Sequence, residues 1–93
     1  MLSAGDIVAA TAGRDSGKVF IVVGIFDENH VLIADGKSRK ADFPKKKKIK
    51  HTELLKAAGE DFAGSLNLKN LKNGKFTNSV IRKILSEEQK NNY

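Results

Sequence analysis

The stretch "KVFIVVGIFDENHVLIADG" (residues 18–36) decides the fold, because it contains two apolar runs separated by a turn. The first run, residues 18–26, is rich in Val, Ile and Phe and too short for a typical helix, which predicts a central strand apolar on both faces. Residues 30–34 predict the next strand, and the short polar segment between them predicts a tight hairpin. Gly24 interrupts the first strand, which indicates a bulge or the sharp bend that the corner of a small barrel requires.

The sequence on either side extends this pattern. Residues 6–12, bounded by glycines, predict a preceding strand, and Asp35-Gly36 predicts a turn after the third strand. Residues 48–52 alternate weakly and predict a fourth, edge-like strand. Residues 52–59 combine an N-cap candidate, helix formers and a terminal glycine, which predicts a short helix. We therefore expect a small, antiparallel, strongly bent sheet.

The C-terminal part predicts one longer helix. Residues 77–90 begin with three N-cap candidates, and apolar residues then recur on one helical face: Val80, Ile81, Ile84 and Leu85. We expect this face to pack on the sheet. Residues 60–76 have no firm apolar period, and Asn73-Gly74 predicts a turn within them. The chain is thus expected to be mainly β, with a barrel over residues 1–56 and an extension over 57–93 that carries a helix near 78–90.

Size and composition limit the function. Ninety-three residues make one domain with a modest core, which disfavours a deep active site. With no cysteine, thiolate metal sites and Cys nucleophiles are excluded. The N-terminus lacks the features of a signal peptide, and no run approaches the ~20 apolar residues of a membrane span. We expect a cytoplasmic protein with no membrane association.

Positive charge is concentrated in one segment. Residues 37–50 contain eight of the 17 basic residues and one of the 11 acidic residues, so this segment carries a net charge of +7 and the rest of the chain −1. The whole imbalance of +6 therefore comes from one segment, which favours a polyanionic partner. A solvated charged loop is the alternative.

The glycines and lysine of residues 13–18 raise the question of a nucleotide-binding loop. A P-loop needs four residues between its glycines, Ser or Thr after its lysine, and a helix that begins there. Here three residues separate Gly13 from Gly17, Val19 follows Lys18, and a strand comes next. The two glycines are better explained by a chain reversal that requires positive φ.

No catalytic or metal-binding arrangement is indicated. His30 and His51 have no second ligand at metal spacing, and the acidic residues are scattered or lie in predicted turns. We expect no enzyme, no cofactor, no metal and no small-molecule substrate.

The lysine run has two other interpretations. Residues 44–48, "PKKKK", resemble a nuclear import signal, but they lie inside the domain and not in a tail. Lysines on an edge strand also discourage sheet-to-sheet aggregation. Phe43 interrupts the basic segment and has two open roles, an aromatic platform for an unpaired base or a core anchor for its loop.

The first half of the chain resembles a known family. "GDIVAATAGRDSGKVFIVVGIFDENHVLIADG" (residues 5–36) looks like a KOW motif, with a Gly-basic-polar-x-Gly-Lys loop between two apolar strands and a hairpin return. Extended through "RKADFPKKKKIKH", it resembles the fourteen-e family of archaeal and eukaryotic large-subunit ribosomal proteins. It looks closer still to the small stand-alone KOW-domain RNA-binding proteins of Gram-positive bacteria.

The resemblance implies an SH3-like barrel of about five strands, with a monomer that binds ribosomal RNA or the ribosome. Gly13 and Gly17 would shape the loop, with Gly36 as a further turn former. Ser16 departs from the many KOW loops that have a basic residue there. A protein-interaction module that contacts ribosomal proteins or the transcription machinery is the alternative. The predicted RNA-binding residues are Arg14, Lys18, Lys37, Arg39, Lys40, Lys45, Lys46, Lys47, Lys48, Lys50 and His51.

Overall fold

The computed structural model describes residues 2–57 and 77–91. The elements are β1 (Ile7–Ala10), β2 (Val19–Ile25), β3 (His30–Ala34), β4 (Lys45–Lys48), a 3₁₀ turn (Ile49–His51), β5 (Thr52–Lys56) and α1 (Asn78–Asn91). The strands form one antiparallel sheet in the order β4-β3-β2-β1-β5. The 3₁₀ turn leads the chain from one edge strand of the sheet to the other. The prediction of a mainly β, barrel-like fold of five strands with a C-terminal helix is confirmed.

Strand β2 is apolar on both faces, as predicted, because each face packs against a different layer. Phe20 and Val22 lie in one fully buried cluster, whose other members are Val8, Ala10, Val31 and Ile33. Ile21 lies in the second cluster, together with Ile7, Ala34 and the α1 residues Ile81, Ile84 and Leu85. The helix therefore covers one face of the bent sheet, and the cluster that contains Phe20 lies on the opposite face. Each fully buried apolar side chain contributes about 1.5–3 kcal/mol relative to exposure.

The predicted bulge at Gly24 is confirmed. The register between β2 and β3 shifts between Val22 and Gly24, and a bulge of this kind bends the strand and increases its twist. The hairpin that follows closes through Asp27, whose carboxylate accepts the Asn29 N–H at 2.8 Å. Asp27 Oδ1 also lies 2.8 Å from His30 Nδ1, and this contact lowers the pKa of the Asp27 carboxyl.

Two sequence predictions around residue 50 are wrong. The fourth strand is Lys45–Lys48 and not residues 48–52, because the chain turns at Ile49–His51, where Thr52 Oγ1 donates to the Ile49 carbonyl at 2.7 Å. The helix predicted from Thr52 is instead strand β5, which pairs with β1. Pairing with a strand some 45 residues earlier in the chain overrides the local helix propensity. The end of the predicted helix and most of residues 57–75 lie outside the described residues.

The predicted C-terminal helix is confirmed as Asn78–Asn91. Of the three N-cap candidates, Thr77 performs the role, since its Oγ1 accepts the Val80 N–H at 3.2 Å.

Candidate nucleic-acid interface

The glycine loop, residues 13–18, joins β1 to β2 as a tight reversal. Gly13 and Gly17 have φ of 84° and 88°, a region that side chains other than glycine rarely occupy. The Gly17 N–H donates to the Ala10 carbonyl at 2.8 Å, and the Lys18 N–H donates to the Asp15 carbonyl at 2.9 Å. The backbone of this loop is therefore closed on itself and on β1, and no helix follows it.

Asp15 is the acidic centre of a group of basic side chains. Its buried carboxylate accepts a hydrogen bond from Lys45 Nζ at 2.8 Å and lies 3.6 Å from Lys18 Nζ. The Lys45 hydrogen bond lowers the pKa of the Asp15 carboxyl, burial opposes this, and the charges of Lys45, Lys18 and Arg39 lower it further. The carboxylate is therefore ionised at neutral pH. We call Lys18, Arg39 and Lys45, which come from three separate segments, the Asp15 cluster.

The four lysines of β4 have different environments because alternate residues of a strand point to opposite faces. Lys45 and Lys47 point toward the glycine loop, where Lys47 is 8% exposed and its Nζ donates to the Ala12 carbonyl at 2.8 Å. Lys46 and Lys48 are exposed on the other face. The Lys46 ammonium lies 4.6 Å from the centre of the Phe26 ring, a cation–π contact.

The basic loop after β3 is organised by Asp35. The carboxylate of Asp35 accepts the Lys37 and Arg39 N–H groups, both at 2.8 Å, and the Ser38 hydroxyl at 3.0 Å. Burial raises the pKa of the Asp35 carboxyl, but these hydrogen bonds outweigh it and the net pKa is lowered. The side chains of Lys37, Arg39 and Lys40 project into solvent from this ordered turn.

Helix α1 holds the same loop through two hydrogen bonds. Arg82 Nη1 donates to the Gly36 carbonyl at 2.6 Å, and Asn78 Oδ1 accepts the Ala41 N–H at 2.7 Å. Gly36 has a φ of 79°, and a Cβ there would lie 2.5 Å from the Asn78 carbonyl oxygen. The loop can therefore sit this close to the helix only with glycine at this position.

The predicted site residues fall into three groups by exposure. The exposed ones are Arg14, Lys18, Lys37, Arg39, Lys40, Lys46, Lys48 and Lys50. Lys45 and His51 are half-buried, and Lys47 is buried. The structure brings the glycine loop, the Asp35 turn and β4 together around Asp15, whereas Lys50 and His51 lie on the 3₁₀ turn. Lys47 was predicted to contact RNA at the surface, but its buried ammonium instead donates to the Ala12 carbonyl.

The structure adds a residue that the sequence did not indicate, Asp15, and decides against one of the two roles predicted for Phe43. Asp15 had no role, because nothing in its local sequence shows that Lys45 lies beside it. Phe43 is 82% exposed, so the core-anchor role is wrong.

Neither a metal-ligating cluster nor a membrane-spanning helix is found in the described part of the chain. Over residues 2–57 and 77–91, no group of three or more His, Asp or Glu side chains is placed to hold a metal ion. No helix within these residues is long and apolar enough to cross a membrane.

The bent sheet, its covering helix and the basic side chains around Asp15 define a small mainly β domain with a cationic surface. Over 49 residues the chain is 43% identical to the large ribosomal subunit protein eL14 of Desulfurococcus amylolyticus, a match that covers 53% of this chain and 51% of that protein. The chain thus spans about half the length of this curated relative. No family model matches the chain. The match supports a relationship to this ribosomal protein family.

Proposed function

We propose that the chain is a non-catalytic RNA-binding protein that binds ribosomal RNA through phosphate contacts, as a cytoplasmic monomer associated with the ribosome. The observation that carries the proposal is the convergence of basic side chains from three segments around Asp15. The partial match to a large-subunit ribosomal protein supports ribosomal RNA as the target. The glycine loop then acts as a KOW loop, with Arg14 and Lys18 directed at phosphate.

Phosphate neutralisation supplies most of the binding free energy. Each Lys or Arg that contacts a phosphate releases a condensed counterion, which makes affinity fall as salt rises. In the described part of the chain, six exposed predicted residues have neither an acidic partner nor an aromatic ring in contact: Arg14, Lys37, Arg39, Lys40, Lys48 and Lys50. Together with Lys18, whose side chain is 59% exposed beside Asp15, these residues make seven contacts, which correspond to a log–log salt slope of about 5–6 in magnitude.

Shape, more than base sequence, is the basis of recognition at these contacts. Seven of the eight basic residues in the segment 37–50 are lysines, and lysine lacks the planar fork with which arginine reads base edges. We therefore infer that the cationic surface binds the backbone of folded, helical RNA.

The test is the salt dependence of binding to large-subunit ribosomal RNA. The double variant Lys18→Ala/Arg39→Ala removes two members of the Asp15 cluster and is expected to flatten the log–log slope by about 1.4–1.8. Lys83→Ala is the control, because it removes an exposed lysine from α1, and it is expected to leave the slope unchanged. Equal slopes for the double variant and the wild type would refute phosphate binding at this cluster.

A protein-interaction module is the second candidate, and one observation favours it. Leu54 and Leu55 of β5 are 50% and 39% exposed, on an edge strand of the sheet. Two results together would support this candidate over direct RNA binding. Association with ribosomes would survive nuclease treatment, and it would be lost in Leu54→Ser but retained in the Lys18→Ala/Arg39→Ala variant.

A further inference from the structure

Phe43 is exposed at the centre of a basic turn. Its side chain is 82% exposed, the highest value among the large apolar residues that the structure describes. A single exposed phenylalanine is not unusual in itself, but this one has Arg39 and Lys40 before it and Lys45 and Lys46 after it in the chain. An aromatic ring among cations matches the chemistry of a nucleotide, which offers a flat base beside a phosphate.

The backbone presents this ring on a constrained turn. The Phe43 N–H donates to the Lys40 carbonyl at 3.0 Å, and the following Pro44 restricts the backbone of Phe43 to extended conformations. Two residues earlier, the Ala41 N–H is bonded to Asn78 of the helix. A platform that is ordered before binding loses less conformational entropy when a base stacks on it.

Phe26 provides an internal comparison. It is 55% exposed, but Lys46 Nζ lies 4.6 Å from its ring centre and the His30 ring meets it edge-on at 6.3 Å. Among the described residues, no such ring or ammonium contact involves Phe43. Of the two rings, Phe43 is the more exposed, and no described ammonium or aromatic ring occupies a face that a base would need.

We propose that Phe43 stacks on an unpaired base of the RNA whose neighbouring phosphates are bound by Arg39 and Lys40. This rests on the proposed function and narrows its target: the RNA has a helix with a bulged, looped or terminal nucleotide next to it. Stacking of this kind tolerates any base, since every base has a π face, and it agrees with the low sequence discrimination expected of a lysine-rich surface.

The experiment compares two RNAs, a fully paired stem and the same stem with one unpaired adenosine. Phe43→Ala is expected to weaken binding to the bulged RNA roughly 5- to 150-fold, the range measured when a stacking aromatic is replaced by alanine, and to change binding to the paired stem less than about twofold. Because no charge is removed, the log–log salt slope on the bulged RNA should stay at its wild-type value. Phe26→Ala is the matched control and is expected to leave the preference for the bulge unchanged.

A second variant reports the contact directly. The chain contains no tryptophan, so Phe43→Trp introduces a single tryptophan that can be excited selectively. Its emission should be quenched more by the bulged RNA than by the paired stem at saturation. Equal affinities of wild type and Phe43→Ala for the bulged RNA, with the steep salt dependence retained, would overturn the stacking proposal and leave the proposed function intact. Absence of binding to either RNA by the wild type would instead overturn the proposed function.

Discussion

Replacement of Gly36 by alanine is expected to separate the basic loop from the helix that supports it. The residue has a φ of 79°, and an added Cβ would lie 2.5 Å from the Asn78 carbonyl oxygen and 2.9 Å from Arg82 Cγ. The arginine side chain can move, but the Asn78 oxygen belongs to the backbone of the first helical turn. Either the loop or the start of the helix must shift, and both hydrogen bonds between them are then perturbed.

The magnitude is the sum of two effects. A left-handed conformation costs a non-glycine residue about 1–2 kcal/mol, and an added group in a packed interior costs a further 1–3 kcal/mol or so. We therefore expect a loss of about 2–5 kcal/mol in the free energy of unfolding, which is a large part of the roughly 5–14 kcal/mol typical for 93 residues.

Gly17→Ala is the matched control. Its φ is 88°, but a Cβ there would meet nothing within 4 Å, so only the conformational cost of about 1–2 kcal/mol applies. Urea denaturation of both variants measures the difference, and the melting temperature should fall further for Gly36→Ala, by about 4–8 °C for each additional kcal/mol. Equal losses of stability in the two variants would refute the contact between the loop and the helix.

Two further predictions concern the lysines of β4 and the acid sensitivity of the fold. Lys47→Ala should lower stability by about 1–3 kcal/mol in urea denaturation, because the half-buried Ala12 carbonyl loses its donor, and should leave the salt slope of RNA binding unchanged. Lys48→Ala should leave stability unchanged and flatten the slope by about 0.7–0.9. A flatter slope for Lys47→Ala would contradict its buried role. The Asp35 carboxyl has a lowered pKa in the folded state, so its contribution to stability is complete above the unfolded pKa near 3.8 and is lost as pH falls through the folded value. Asp35→Asn should therefore reduce the loss of melting temperature between pH 6 and about pH 2.5. The control Asp42→Asn, which changes an exposed carboxylate, should not. An acid response of Asp35→Asn identical to that of the wild type would contradict the role of Asp35.

The elements that were correctly predicted are those whose causes are local. The run around Phe20 and Ile21 is apolar at successive positions because two layers pack on opposite faces of one strand: the buried cluster that contains Phe20, and helix α1. Gly24 marks its bulge for a similar reason, since the register shift is a property of the strand itself. The apolar face of α1 could be read from its own spacing.

The elements that were wrongly predicted depend on distant partners. Residues 52–56 have the composition of a short helix, and only their pairing with β1 makes them a strand. The same limit applies to the site, because the four consecutive lysines 45–48 cannot be told apart in the sequence. In the structure the first pairs with Asp15, the second lies over the Phe26 ring, the third is buried and the fourth is exposed. Which role each takes is set by the register of β4 against β3, since a shift of one residue exchanges the two faces.

The acidic residue at the centre of the cluster has an effect on binding that net charge alone does not show. Asp15 removes one positive charge from the Asp15 cluster, which by itself weakens attraction to phosphate. The Asp15 carboxylate also lies 2.8 Å from Lys45 Nζ and 3.6 Å from Lys18 Nζ, which partly orders both side chains in the folded protein. Each would otherwise lose up to about 2 kcal/mol of rotamer entropy on binding. Arg39 and the exposed residues beside it are not paired with this carboxylate. The surface therefore keeps freely accessible cations next to the partly ordered Lys18 and Lys45. Under the proposed function, this arrangement favours an RNA of defined shape over nonspecific attraction to any polyanion.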